Sequence, residues 1–410
     1  MKSIHTFVLL ALLLLVFAGC NPAQYGAFAI QPAALDTAQQ PGNRIVVQGF
    51  DGNIFTLNSD GGARLNLTTD ATPRRQYQQP TWSPDAAMIA LARVDNLGSR
   101  SAGALVTAAH DGSTRAELQL PFPPFYMNWS PTGTQIAYLS NWSGLEGPSM
   151  ALRLFDVAAN TADTVAEGSP YYFSWAPDGS QLLAHIGANR LELQDAAGVR
   201  RAFLNTSAGF AAPQWANDGV SLVYAVDDEQ GQRVVIGNLE GVTLSEITDF
   251  DERISFALSP NGEQLAYVLT PAASQVNTLG PLYLTDVQTQ RTRELTDQPV
   301  WAIFWSPDGD KLAWVASVQT QDRLWLRWFV WDGARTTAYS RFLPTRTFLE
   351  NYLVFSDQYA QSMRIWSPDS NAFVYAGTNT EEKPGVWVQR LDAQEAKWIG
   401  TGVFAAWSPR

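Results

Sequence analysis

Short runs in which apolar residues alternate with other residues follow one another along the chain from residue 44 onward. Such alternation predicts β-strands, because successive side chains of a strand point to opposite faces of a sheet. One group of four runs and the start of the next group lie at Phe125–Trp129, Gln135–Ser140, Leu152–Val157, Thr161–Ala166 and Tyr171–Trp175. The pattern therefore predicts units of four short strands joined by tight turns.

A motif that reads Trp-Ser-Pro-Asp-Gly, or a close variant, recurs between the first and second strands of these units. Its eight copies begin at Trp82, Trp129, Trp175, Trp215, Leu258, Trp305, Trp366 and Trp407. Pro fixes φ, Asp or Asn caps the turn, and Gly adopts a positive φ, so the motif joins two antiparallel strands. The Trp supplies a large apolar ring to bury against a neighbouring unit, and its N–H needs one acceptor.

The motif recurs every 40 to 47 residues, apart from one interval of 61 residues between Trp305 and Trp366. This period is typical of a four-stranded propeller blade. Residues 44–50, 53–59 and 63–69 resemble a blade without its first strand, and residues 403–407 resemble an isolated first strand. Pairing the two ends would close a ring and cover two sheet edges. We predict an all-β, eight-bladed propeller closed in this way, with seven blades as the alternative if the long interval hides an irregular blade.

The N-terminal residues have the pattern of an export signal. Lys2 precedes an apolar run, Phe7–Ala18, which is too short to span a bilayer as a helix. The run ends in Ala-Gly-Cys20, which resembles the lipobox of bacterial lipoproteins, and Cys20 is the only cysteine. The alternative is an ordinary signal peptide that leaves Cys20 as a free thiol.

Three regions follow from this pattern. We predict a lipoprotein signal peptide at residues 1–19, a lipidated Cys20 with a flexible tether to residue 43, and a propeller at residues 44–410. The protein would then be exported and lipid-anchored to a bacterial membrane on its extracytoplasmic side, in the periplasm or at the cell surface.

Composition narrows the possible functions. The formal net charge of −12 argues against a nucleic-acid partner, since nucleic acids select clustered Lys and Arg. One Cys and three dispersed His give no metal-ligand spacing, so we expect neither a metal site nor a cofactor. We assign His110 to a turn and His185 to a strand. The aspartates of the repeated turns, Asp85, Asp178, Asp308 and Asp369, are interpreted as turn formers.

These repeats resemble those of the TolB-like family of β-propellers. That family includes periplasmic TolB and the propellers of prolyl oligopeptidases and dipeptidyl peptidases. The resemblance covers residues 44–410 and implies the fold, whereas the motif residues build turns and blade contacts and imply no activity. No Gly-x-Ser-x-Gly sequence occurs, so the nucleophile of the peptidase relatives is not expected here.

The 61-residue interval contains an insertion. Its strand 324–331 carries three Trp, and residues 341–361 have a helical period after Pro344-Thr345, which is a plausible capped start. The segment either packs its apolar side onto the propeller or forms a lid or docking helix with an exposed aromatic patch. The candidate partner-binding residues are Trp325, Trp328, Trp331, Phe348, Tyr352, Phe355 and Tyr359. A smaller insertion at Ser140–Met150 is predicted to be a loop.

The sequence favours a membrane-anchored propeller that binds an envelope protein, a peptide or a glycan without catalysis, and it offers no catalytic residues. One alternative is a propeller enzyme of the lactonase or lyase kind, which would need several acids converging on the channel. Another is a structural subunit of an envelope complex, which would have a broad apolar patch centred on the insertion and no ligand-sized cavity.

Overall fold

A computed structural model describes residues 42–98, 101–144, 147–208, 211–251, 253–271, 279–321 and 323–410. These residues belong to one compact unit, Pro41–Arg410. The predicted signal peptide, Cys20 and the tether as far as residue 41 lie outside the described residues. Strands account for 59% of the structure and helices for 4%, so the predicted all-β class is confirmed. No helix in the described ranges is long and apolar enough to cross a membrane.

The strands are numbered in chain order. The first fifteen are β1 (Arg44–Gln48), β2 (Ile54–Asn58), β3 (Leu65–Asn66), β4 (Arg75–Trp82), β5 (Met88–Asn96), β6 (Ser101–Ala109), β7 (Arg115–Leu120), β8 (Pro124–Trp129), β9 (Gln135–Gly144), β10 (Gly147–Asp156), β11 (Thr161–Gly168), β12 (Tyr171–Trp175), β13 (Gln181–Ile186), β14 (Arg190–Asp195) and β15 (Arg200–Thr206).

The remaining strands are β16 (Gln214–Trp215), β17 (Leu222–Asp228), β18 (Gly231–Gly237), β19 (Thr243–Asp249), β20 (Arg253–Leu258), β21 (Gln264–Thr270), β22 (Gly280–Asp286), β23 (Thr292–Trp305), β24 (Leu312–Gln319), β25 (Leu324–Trp331), β26 (Thr336–Pro344), β27 (Ala372–Asn379), β28 (Pro384–Arg390), β29 (Lys397–Gly400) and β30 (Phe404–Trp407). The helices between β26 and β27 are α1 (Arg346–Asn351), a 3-10 turn at Leu353–Phe355, and α2 (Ser356–Tyr359).

Four-stranded antiparallel sheets dominate this arrangement, as the repeat predicts. Consecutive strands form the sheets β4–β7, β8–β11, β12–β15 and β16–β19. Strands β20–β29 form one ten-stranded sheet that runs through three repeats. It is continuous because the 14-residue β23 serves as the last strand of one repeat and the first of the next, and because β26 pairs with β27.

The two ends of the described chain meet in one sheet, in the order β3-β2-β1-β30. Strand β30 is antiparallel to β1, and Val46 is opposite Ala406. The indole N–H of Trp407 also donates to the Asn43 side-chain oxygen at 3.0 Å. Strand β30 therefore covers an edge of β1 that would otherwise be unpaired.

The repeated turns have the chemistry that their residues predict. In the first copy, Ser83 Oγ donates to Asp85 Oδ1 at 2.6 Å, and the Ala87 N–H donates to the same oxygen at 3.0 Å. The glycine of the turn has positive φ, as at Gly309 with φ 80°, and Ala86 (φ 61°) and Ser370 (φ 57°) adopt the same conformation in two copies that lack it. The aspartates of these turns are therefore turn formers.

Indole N–H groups of the motif link neighbouring repeats. Five of the seven indoles donate to a main-chain carbonyl just before the motif of an adjacent repeat: Trp82 to Ala406 (3.3 Å), Trp129 to Thr81 (3.1 Å), Trp175 to Asn128 (3.2 Å), Trp305 to Ala257 (2.9 Å) and Trp366 to Phe304 (3.1 Å). Main-chain N–H groups link three further pairs: that of Trp215 donates to Ser174 Oγ, that of Leu258 to Gln214 Oε1, and that of Trp407 to the Arg364 carbonyl. The motif Trp thus has the acceptor that the sequence requires in these five cases.

The prediction that Ser140–Met150 forms a loop is wrong. Residues on both sides of its tip extend β9 and β10 into a longer hairpin, with Ser140 opposite Ala151. The Arg153 guanidinium lies 4.9 Å from the ring centroid of Trp142, so a cation–π contact stabilises the hairpin.

Candidate ligand-binding cavity

The insertion after β26 begins as its sequence predicts. Thr345 is the N-cap of α1, and its Oγ1 accepts a hydrogen bond from the Phe348 N–H at 3.1 Å. The preceding Pro344 still pairs in the sheet, opposite Gly377. We call residues 345–365 the axial segment, because the first strands of the repeats surround it.

Hydrogen bonds from the axial segment reach the first strands of several repeats. The Tyr126 hydroxyl donates to the Gln358 carbonyl at 3.1 Å, and the Gln358 amide donates to the Phe173 carbonyl at 3.3 Å. Further bonds are donated by Tyr359 to the Phe125 carbonyl, by Gln361 to Pro213, by Ser356 to Trp301 and by Thr345 to Val403. A segment of about twenty residues can contact so many repeats only where their first strands converge. The insertion therefore lies inside the assembly of sheets.

This position determines how exposed the seven aromatic candidates for partner binding are. Five of them are buried side chains in this structure: Trp328, Trp331, Phe348, Tyr352 and Tyr359. Trp328 packs against Phe373 with ring centroids 5.0 Å apart, as a core residue does. These five side chains are not accessible to a partner, because the sheets and the axial segment cover them.

The other two aromatic residues remain partly accessible. Phe355 keeps 45% of its surface exposed. Trp325 is half-buried, and the guanidinium groups of Arg323 and Arg341 lie 5.2 and 5.8 Å from its ring centroid. The sequence pattern could not separate these two from the buried five, because all seven are large aromatic residues in two segments of similar apolar character.

One end of the axial segment forms the floor of a cavity of about 520 Å³. All eight repeats contribute to its lining through the residue two positions after the first residue of the motif. These residues are Pro84, Pro131, Pro177, Asn217, Pro260, Pro307, Pro368 and Pro409. The floor comprises residues 360–364. We call the eight turn residues the collar.

The wall of the cavity has a polar side and an apolar side. The residue just before the motif aromatic is polar in four consecutive repeats: Thr81, Asn128, Ser174 and Gln214. In the next three repeats the equivalent residues are Ala257, Phe304 and Ile365. Because the strands present these positions side by side, one side of the cavity is polar and the other is apolar. On the polar side, Ser174 Oγ and both polar groups of the Gln214 side chain already form hydrogen bonds within the protein.

Arg364 is the only ionisable residue among the described lining residues. Its side chain remains accessible to solvent, and desolvation by the surrounding protein lowers the pKa of its guanidinium. Arg364 is thus exposed to solvent and yet surrounded by protein, as expected for a side chain in a recess. Sequence reasoning missed this residue, because a lone Arg before a strand is usually a surface residue.

The two histidines considered from the sequence lie away from this lining. His110 and His185 are both buried, and desolvation lowers the pKa of each imidazole. His185 Nδ1 lies 3.1 Å from the Ala211 carbonyl oxygen. Across the described ranges, no three His, Cys, Asp or Glu residues are grouped closely enough to hold a metal ion.

Asp357 is a buried carboxylic acid in the axial segment, 8% exposed. The hydrogen bond recorded for its carboxylate comes from the Gln358 N–H at 2.9 Å, and burial raises its pKa to about 6. A group whose folded-state pKa is raised stabilises the fold below its unfolded pKa of about 3.9, and this contribution is lost as the pH rises through 6.

We therefore expect Asp357→Asn to increase the free energy of unfolding at pH 7.5, by up to about 3 kcal/mol for a shift of two pKa units. The gain should shrink as the pH falls and vanish near pH 4. Urea unfolding at pH 7.5, 6 and 4.5 measures the difference between variant and wild type.

Asp369→Asn is the matched control, because hydrogen bonds from Ser367 and Asn371 lower the pKa of Asp369. That substitution should destabilise the protein at pH 7.5. A loss of stability for Asp357→Asn at pH 7.5 would show that the ionised carboxylate has a stabilising partner.

Comparisons with known proteins place this arrangement in a fold class. No family model matches the sequence, and no curated protein matches it. Among solved structures, a eukaryotic initiation factor is similar with a TM-score of 0.58 at 13% identity, over 90% of this chain and 99% of that one. The β-propeller domain of the Trilobed protease from Pyrococcus furiosus has a TM-score of 0.51 at 14% identity, over 79% of this chain and 97% of that domain. TolB from Acinetobacter baumannii also matches, with a TM-score of 0.40 at 17% identity, over 71% and 78% of the two chains.

The antiparallel sheets and the likeness to the propeller domain show that this chain is a β-propeller protein. At these identities the likeness concerns the fold alone. The Pyrococcus domain is described as having an open velcro topology, whereas here the last strand, β30, pairs with β1.

Proposed function

We propose that the chain forms an eight-bladed propeller of the TolB-like kind, closed by the pairing of β30 with β1. Three observations support this count. The motif occurs eight times, all eight copies contribute a collar residue to one cavity, and a hydrogen bond links each copy to an adjacent one. The hydrogen bonds from Trp82 to Ala406 and from Trp407 to Arg364 span the junctions on either side of β30.

The function that we propose is non-catalytic binding of a protein segment, peptide or envelope glycan in this cavity. The observation that carries the proposal is the cavity itself, which combines ligand size, one polar and one apolar side, and an unpaired guanidinium. Ligand sites are typically concave, mostly apolar, and supplied with a few polar groups that orient the ligand.

The two alternatives fit the described residues less well. A lactonase or lyase would need acids that converge on the axis, and the described cavity lining contains no Asp, Glu or His. A structural subunit would present the insertion at the centre of an apolar patch, but its aromatic residues are mostly buried.

A cavity-filling substitution tests the proposal. Purified full-length protein, in a non-ionic polyoxyethylene detergent, is incubated with envelope extract and washed, and the retained molecules are identified by mass spectrometry. Ser362→Trp should abolish their retention, because Ser362 lines the floor. Ser113→Trp, on an exposed turn away from the cavity, is the control and should retain them. Equal retention by both variants and wild type would refute binding in the cavity.

We also propose that a lipid on Cys20 anchors the protein to a bacterial membrane, facing the periplasm or the outside. Several acyl chains at one Cys hold a protein firmly, at about 0.8 kcal/mol per buried CH₂. Cys20→Ser should therefore move the protein from the membrane fraction to the soluble fraction, as measured by fractionation and immunoblotting. Unchanged membrane retention would disprove this anchor.

A further inference from the structure

The guanidinium of Arg364 has no protein partner among the described residues. No hydrogen bond from its side chain and no ion pair is recorded, while the backbone of the same segment is held firmly. The Arg364 carbonyl accepts from the Trp407 N–H at 2.6 Å, and the Ile365 carbonyl accepts from the Val374 N–H at 2.9 Å. The main chain at Arg364 is therefore fixed, and its guanidinium is available to bind a ligand.

Protein around the recess replaces part of the hydration of this exposed guanidinium, which makes its charge less favourable. The guanidinium remains protonated at neutral pH, so a bound anion would offset this cost. One positive charge matches a monoanion, and the planar fork of a guanidinium matches a carboxylate through two parallel hydrogen bonds.

Charges at the collar indicate which carboxylate ligand fits. Asp85, Asp178, Asp308 and Asp369 each follow a collar proline directly. Hydrogen bonds within the turns lower the pKa of each of these carboxyl groups, so they are ionised at neutral pH. Asp308 pairs with Lys311 at 2.7 Å, whereas no ion pair to Asp85, Asp178 or Asp369 is present among the described residues. Negative charge therefore lies next to the collar, and positive charge lies at the floor. A chain that is neutral or basic along its length and ends in a carboxylate suits this order of charges.

The wall of the cavity favours a peptide over a sugar. A peptide terminus has amide groups for the polar side and a side chain for the apolar side. Sugars bind well to exposed aromatic ring faces, but four of the lining indoles, Trp82, Trp129, Trp175 and Trp366, are only 4 to 6% exposed. Their N–H groups are also occupied by carbonyls of neighbouring repeats.

We propose that the cavity binds the C-terminal carboxylate of a polypeptide tail, with Arg364 pairing the carboxylate and the Ala257–Phe304 side receiving an apolar last side chain. This inference rests on the proposed binding function of the cavity and names its ligand class. Basic residues upstream of the terminus would then lie near the acidic collar, and this contact should weaken as salt screens it.

The test uses acetylated hexapeptides with lysine at the third position from the end and randomised apolar residues at the last two positions. One pool has a free C-terminal carboxylate, and a matched pool ends in an amide. A glucuronate disaccharide is the sugar probe. Each is passed over immobilised full-length protein, and retained species are quantified by mass spectrometry and then titrated by tryptophan fluorescence.

Wild type should retain free-acid peptides and release their amides. Arg364→Gln should weaken free-acid binding by between about tenfold and a hundredfold, the range for losing hydrogen bonds to a charged group, and should leave amide binding unchanged. Arg364→Lys should restore part of the affinity. Since Arg364 loses no protein partner, the melting temperature of Arg364→Gln should equal or exceed that of wild type.

Equal retention of acids and amides, or a marked fall in the melting temperature of Arg364→Gln, would overturn this inference. Retention of the disaccharide without any peptide would also overturn it, while leaving ligand binding in the cavity intact. If the Ser362→Trp experiment also finds no cavity-dependent ligand, the proposed function itself fails.

Discussion

A chain that ends at Gly402 should not fold cooperatively. The truncation removes β30, whose four residues, Phe404–Trp407, are all at most 2% exposed. Loss of one buried Phe or Trp side chain costs about 3–5 kcal/mol, and a whole domain is stable by only about 5–15 kcal/mol. The truncation also exposes the edge of β1 and removes the carbonyl that accepts the Trp82 indole N–H.

Urea unfolding followed by tryptophan fluorescence and by far-UV circular dichroism measures this effect. A matched control is Trp325→Ala, which removes a half-buried Trp that lies outside the motif and should cost much less than the truncation. If the truncated chain unfolds cooperatively at nearly the urea concentration of wild type, β30 is dispensable and the proposed closure is wrong.

Tyr352→Ala is expected to be nearly as damaging, although it lies in an insertion outside the repeats. The Tyr352 ring is 2% exposed and stacks on Phe404 with centroids 3.8 Å apart. It also contacts Tyr359 at 5.5 Å between centroids. Removing a buried aromatic ring that several sheets surround should lower the free energy of unfolding by about 3–5 kcal/mol.

Phe355→Ala provides the control from the same segment, since Phe355 is 45% exposed and should cost well under half as much. Both free energies come from urea titrations at one temperature. Similar small losses for the two variants would mean that the axial segment does not pack between the sheets, and that its aromatic residues are free to contact a partner.

Sequence patterns were sufficient to predict several elements of the fold. The boundaries of β8 and β12 agree with the predicted runs to within one residue, because their apolar alternation and their Pro-containing turns are local signals. The pairing of β30 with β1 is the arrangement expected for complementary incomplete units at the two ends. The helix start at Thr345 follows from a single capping residue.

The prediction of a loop at Ser140–Met150 was wrong because strand pairing extends through most of this segment. Its Gly and Pro residues are typical of a turn, yet the flanking residues pair as strands and Arg153 covers Trp142. A local preference of this kind is easily overridden by pairing and side-chain contacts.

The sequence by itself determined the strands, the turns, the repeat and its period, because each depends on neighbouring residues. Only the tertiary structure decided that the insertion lies between the first strands of the repeats, since the space that receives it exists only once distant repeats converge. The same convergence made Arg364 the one ionisable side chain among the described lining residues of a cavity, and it buried five of the seven aromatic residues that were candidates for partner binding. Local patterns carry no information about which distant residues surround a side chain, and that enclosure is what defines the candidate site.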